Sequence, residues 1–95
     1  MRRIVYTTSA IDDIERLVQF LLDSDPEAAF STTAIIKDGL DVLARHPLLG
    51  RPARGRMREL VISRGKTGYI ALYRYNEIRD VVVVLAIRHQ REVGL

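Results

Sequence analysis

Cysteine is absent from the 95 residues, which excludes disulfides and thiolate metal sites. The two histidines, His46 and His89, stand too far apart in sequence to make a metal set. No metal and no cofactor is expected. No apolar run approaches the roughly 20 residues that a membrane helix needs, and no charged-apolar-small leader opens the chain. The expectation is a cytoplasmic protein with no membrane partner. Internal repeats, low-complexity tracts and long linkers are missing too, so the elements should follow one another through short connections in a single domain, residues 1–95. What the chain has is 47% hydrophobic residues, enough for one modest core whose stability rests on packing.

Charge is distributed by halves. Residues 1–50 carry five basic and eight acidic side chains, whereas residues 51–95 carry ten basic and four acidic. Within 51–66, Arg51, Arg54, Arg56, Arg58, Arg64 and Lys66 face the single acid Glu59, a field suited to a polyanion or an acidic protein partner, or else a solvated loop.

The element order reads β-α-α-β-β-β. Residues 3–6 form a first strand. Ser9 followed by Asp12 resembles a capping box, and Ile11, Ile14, Leu17, Val18, Leu21 and Leu22 then recur at helical spacing, leaving Asp12, Asp13, Glu15, Arg16 and Gln19 mostly outside the apolar stripe. Asp25 is an N-cap and Pro26 the first residue of a second helix. Its seam, Ala29, Thr33, Ile36, Leu40 and Leu43, packs antiparallel on the first helix. His46 sits in the last turn, where a charge-dipole role suffices, and Pro47 ends the helix. After a loop at 48–55, residues 57–63, 69–75 and 81–87 read as an antiparallel meander. The run Val81 to Leu85 implies a central last strand, buried on both faces. Burial then demands an α+β two-layer sandwich, a helix hairpin on a mainly antiparallel sheet, with the position of the first strand left open.

Two glycine patterns carry no function. Gly50 to Met57 has P-loop glycine spacing, but Arg56 and Met57 stand where lysine and hydroxyl are needed, and a strand follows instead of a helix. Gly65-Lys66-Thr67-Gly68 has the GxxG of an RNA clamp but joins two strands, where glycines serve a hairpin turn.

Several segments do converge: Ser9-Ala10-Ile11-Asp12-Asp13-Ile14, Leu43 to Gly50 with His46-Pro47 and Gly50-Arg51, Arg58-Glu59-Leu60, Gly68-Tyr69 leading into Leu72-Tyr73-Arg74, and Ile87-Arg88-His89-Gln90-Arg91. Together, over essentially the whole chain, they resemble the RelE/ParE toxins of bacterial type II toxin-antitoxin systems. The resemblance implies a toxin neutralised by a cognate antitoxin in a hetero-oligomer. It also implies one of two targets: DNA gyrase, inhibited without hydrolytic chemistry by ParE-like members, or mRNA on the ribosome, cut by RelE-like endoribonucleases. A non-toxic antitoxin-binding module is the third reading.

RNA cleavage needs proton transfer at the 2′-hydroxyl and the leaving oxygen, and cations on the phosphate. Arg58, His89 and Arg91 are the catalytic candidates for that reading, with Arg88 and Glu92 beside them if they converge at one sheet end; imidazole alone among these groups titrates near neutrality. Two departures weigh against it. Ile70 follows Gly68-Tyr69 where RelE-like nucleases carry arginine, and no tyrosine closes the C-terminus. The His89-Gln90-Arg91 ending is similar to ParE-like members, so the expectation is gyrase inhibition. The antitoxin, as a folding-on-binding segment with carboxylates, would add a helix to the hairpin groove or a strand to a sheet edge. Arg51, Arg54, Arg56, Arg58, Arg88, His89 and Arg91 are the binding candidates for antitoxin or target.

Overall fold

The computed structural model describes residues 2–63 and 68–89. Its order is β1 (Arg3–Tyr6), α1 (Thr8–Ser24), α2 (Pro26–Asp41), a 3-10 turn at Val42–Ala44, β2 (Arg51–Pro52), β3 (Met57–Ile62), β4 (Tyr69–Asn76) and β5 (Val81–His89). Two helices pack on one face of a five-stranded mixed sheet with strand order β1-β5-β4-β3-β2. β1 runs parallel to β5 and the remaining pairs are antiparallel. No helix among the described residues is long and apolar enough to cross a membrane.

Local chemistry sets the helix ends. The expected start at Ser9 is overturned: Thr7 is the N-cap, its Oγ1 accepting from the Ala10 N–H at 3.1 Å. Thr7 is the only residue between β1 and α1, and its own N–H donates to the Val84 carbonyl, so strand and helix are joined without a loop. Asp25 serves both helices. Its N–H closes α1 on the Leu21 carbonyl at 2.7 Å, and its carboxylate caps α2 at the Ala28 N–H, 3.2 Å. Asp25→Ala is expected to cost about 1 kcal/mol, read as a lower urea midpoint with unchanged slope. α2 ends earlier than expected, at Asp41, so His46 lies in the following loop, exposed, and not in a helical turn.

The core joins Leu17 of α1, Ile36, Leu40 and Leu43 of the second helix and the turn after it, and Tyr69, Ala71, Tyr73, Val82, Val84 and Ile87 of the sheet. The α2 seam uses Thr32, not Thr33. Thr32 is fully buried, with its hydroxyl 2.6 Å from the Ala28 carbonyl and 3.0 Å from the Tyr69 hydroxyl. Ile11 and Leu22, assigned to the α1 stripe, are exposed at its margin.

β5 is interior in the sheet, as its valines require, but it is not buried on both faces. Val82, Val84, Ile87 and His89 face the helices and are fully buried, while Val83, Leu85 and Ala86 are half-buried on a face that no second layer covers. A register shift opposite Leu72/Tyr73 leaves Leu85 as the extra residue of a bulge. The inward positions therefore change from even to odd along β5. Arg51–Pro52, read as loop, pairs with β3 at Glu59 and Arg58; two residues with a proline give no alternation from which a strand could be read.

Candidate functional site

The candidate cations separate into different settings. By register, Ile62, Tyr69 and His89 lie side by side across β3, β4 and β5, and Arg58 lies four residues earlier on β3, opposite Tyr73. At strand spacing, Arg58 and His89 are about 16 Å apart. The expected convergence at one sheet end does not occur, because β3 and β5 point the same way and the two residues sit at opposite ends of them.

His89 is fully buried on the helix side, edge-on to Tyr69 with ring centroids 5.1 Å apart and 6.2 Å from the Phe20 ring. Arg88, on the uncovered face, places Nη1 2.8 Å from Asp13 Oδ2. Arg58 is committed to the backbone, donating from Nη1 to the Gly50 carbonyl at 2.8 Å and the Leu48 carbonyl at 3.3 Å. Arg51 pairs with Glu59 at 3.1 Å across β2 and β3. Arg54 and Arg56 are exposed in the loop before β3. Arg64, Lys66, Arg91 and Glu92 lie outside the described residues.

Asp13 lies outside the apolar stripe of α1, as expected, but its carboxylate is engaged by the sheet. β1 stops opposite Val84, so the outward backbone groups of β5 beyond that point lack a strand partner. Side chains from the start of α1 replace it: Thr7 Oγ1 donates to the Leu85 carbonyl at 3.4 Å, Arg16 Nη2 to the Ile87 carbonyl at 3.4 Å, and Asp13 Oδ2 accepts the Ile87 N–H at 2.9 Å. Burial pushes the Asp13 carboxyl up, but the Ile87 N–H together with Arg88 and Arg16 outweighs it and holds the group below the ordinary carboxylate value.

A second feature lies at the other end of the sheet. The loop after α2 is tied down by Tyr73, whose hydroxyl accepts the Gly50 N–H at 2.8 Å and donates to the Pro47 carbonyl at 2.9 Å. Burial raises the Tyr73 pKa, which keeps the donor proton in place. Beside this loop runs a groove of about 520 Å³ lined by Leu48, Arg56, Arg58, Arg74, Glu77 and Ile78, among others. Sequence reasoning missed Arg74 as a member. It joins the arginine cluster through its pairing with Met57, and only the β3–β4 register could have revealed that.

On the uncovered face near Ile70, the neighbouring described positions of β3, β4 and β5 are Val61, Glu59, Leu72, Ala86 and Arg88. Apart from Arg88, which is held by Asp13, and Glu59, which is paired with Arg51, they are apolar. No group of three potential metal-binding side chains occurs among the described residues.

Residues 4–94 match the family described as ParE toxin of the type II toxin-antitoxin system, parDE. The chain is 39% identical over 80 residues to toxin RelE3 of Caulobacter vibrioides, covering 84% of this chain and 85% of the relative. Among solved structures it is similar to a chain of the chromosomal ParDE system from P. aeruginosa, with TM-score 0.77, 20% identity and coverage of 94% and 96%. It is also similar to one from the toxin-antitoxin complex RelBE2 of Mycobacterium tuberculosis, with TM-score 0.61, 25% identity and coverage of 94% and 98%.

Proposed function

This chain belongs to the RelE/ParE family of type II toxin-antitoxin toxins, and from that premise we propose that it arrests growth by binding and inhibiting DNA gyrase and cuts no RNA itself. The observation that carries the reading is the fate of its would-be catalytic groups. His89, the candidate proton carrier, is sealed in the core. A general acid or base must come within hydrogen-bond reach of the atom it serves, and no RNA oxygen reaches a ring packed between Tyr69 and Phe20. Arg88 is neutralised by Asp13, Arg58 holds two carbonyls, and among the described residues the face around Ile70 offers valine, leucine, alanine and the Glu59 carboxylate where a dianionic phosphorus needs cations. Such a surface suits protein contact better than phosphate chemistry.

The partner that keeps the toxin silent is a cognate antitoxin. Phe30, 83% exposed, with Ile11 and Phe20 on the same helix hairpin, supplies apolar anchors that a folding-on-binding segment would cover.

The name of the Caulobacter relative favours the second reading, ribosome-dependent cleavage of mRNA, and one experiment separates the two. After induction of the chain alone, pulse-labelling in the first minutes should show DNA synthesis failing before protein synthesis, and the purified chain should inhibit supercoiling by gyrase. Early loss of protein synthesis with cleaved mRNA would overturn the gyrase reading and return Arg58, His89 and Arg91 to catalytic candidacy. Continued synthesis of both would favour a non-toxic antitoxin-binding module.

A further inference from the structure

The groove beside the loop after α2 displays two aliphatic side chains in water. Ile78 is 97% exposed at the tip of the β4–β5 turn, and Leu48 is 54% exposed. Both stand on backbone that is held from several directions. Leu48 and Gly50 give their carbonyls to Arg58, and Tyr73 bridges the Gly50 N–H to the Pro47 carbonyl. In the turn, Asn76 Oδ1 accepts the Arg79 N–H at 3.0 Å. The Asp80 carboxylate is gripped by the Tyr75 hydroxyl and by Arg2 Nε at 2.8 Å. Apolar tips fixed in advance lose little conformational freedom when a partner buries them, so most of their burial free energy appears as affinity.

Between the tips lie cations. Among the described residues, Arg56 and Arg74 are exposed and make no ion pair, and Glu77 is the one acid on the groove wall. Guanidinium groups in that setting are matched by carboxylates, in bidentate geometry. Single-stranded nucleic acid would need an open aromatic platform for its bases, but Tyr75, the one aromatic on the described groove wall, is half-buried against the core with the Arg2 guanidinium over one face, 5.6 Å from the ring centre. Aliphatic tips around cations fit a protein segment.

We propose that this end of the sheet is the surface by which the toxin engages its protein target, through a target segment that buries Leu48 and Ile78 and brings carboxylates to Arg56 and Arg74. The proposal rests on the reading that the target is a protein, and it leaves Arg58 as a positioning residue for the loop.

Two double variants test it, Leu48→Ser with Ile78→Ser and Arg56→Glu with Arg74→Glu, with Arg56→Gln and Arg74→Gln as a milder third. Each is scored by its urea midpoint, by growth arrest on induction and by the concentration that half-inhibits gyrase supercoiling. All four side chains are exposed, so the midpoints should not move. The first two variants should each lose at least tenfold in potency and the milder one less. Full toxicity of either of the first two overturns the proposal, and loss confined to the arginine variants would assign the groove to a nucleic acid. A wild-type chain that arrests growth without inhibiting supercoiling refutes the gyrase reading alone, since growth arrest still reads the surface. A wild-type chain that does neither overturns both.

Discussion

Gly50→Ala should destabilise the protein by about 3 kcal/mol, the sum of an overpacked site and a weakened buried hydrogen bond. A Cβ built at Gly50 lies 2.6 Å from the Glu59 carbonyl oxygen and 2.7 Å from the Tyr73 ring. Neither can step aside. The carbonyl belongs to β3, and the Tyr73 ring is in the core with its hydroxyl engaged at both ends of the loop. Relief requires the loop to lift away, which would break the Gly50 N–H to Tyr73 bond and loosen β2 from β3. At about 4–8 °C per kcal/mol for a domain of this size, the melting temperature should drop by about 12–24 °C. Gly55 provides the contrast. Its Cβ would meet nothing within 4 Å, but its φ is +61°, so Gly55→Ala should cost about 1–2 kcal/mol through backbone strain alone. Equal melting temperatures for wild type and Gly50→Ala would mean that the loop is not anchored as described.

The second large effect is at Asp13. Asp13→Ala removes the acceptor of the Ile87 N–H and the partner of Arg88, and losing hydrogen bonds to a charged, largely buried carboxylate should cost about 2–3 kcal/mol. The pH dependence has a definite sign. The folded carboxyl titrates below its ordinary value, so its stabilising contribution is complete above the unfolded pKa of about 4 and is lost as the pH falls through the folded value. Asp13→Asn should therefore lower the urea midpoint at pH 7, and the gap to wild type should narrow as the pH is taken down to 3. A gap that stays constant between pH 7 and pH 3 would show that the charge on Asp13 contributes nothing.

The Asp13 contacts also show where the sequence stops being legible. Its place in the helix was read correctly, and so were the boundary at Asp25-Pro26, the first strand and the positions of the three meander strands, because periodicity and capping are local and repeat within a few residues. Its function was not readable, because it depends on β1 ending four residues into its pairing with a nine-residue β5, a mismatch between segments more than seventy residues apart. Thr32 and Thr33 both satisfy a spacing of three and four; the Tyr69 hydroxyl selects Thr32. The candidate site divides in the same way. Arg56 and Arg58 were named from charge density, but their partner Arg74 comes from the β4 register. The proximity of Arg58 and His89 failed against the meander itself: of three consecutive antiparallel strands the first and third run the same way, so the start of one and the end of the other lie at opposite ends of the sheet. The Leu85 bulge turns His89 inward and Arg88 outward, and a one-residue slip of this kind leaves no mark in a run of valines and leucine.

The side chains that complete β5 have a bearing on how free chains meet one another. A strand with bare N–H and C=O groups recruits another strand, from a second copy or from a misfolded neighbour. Thr7, Asp13 and Arg16 occupy that row along the second half of β5. At the opposite border the two residues of β2, one of them Pro52, which has no N–H to offer, cover only Arg58 and Glu59 of β3, and residues 60–62 run on with no strand partner on that side among the described residues. What is left open among the described residues is that short stretch of β3 and the outer border of β1, four residues beginning with Arg3, where charge disfavours pairing between identical copies. Among the described residues, the backbone through which one molecule could extend another is thus confined to two short stretches, one at each border of the sheet.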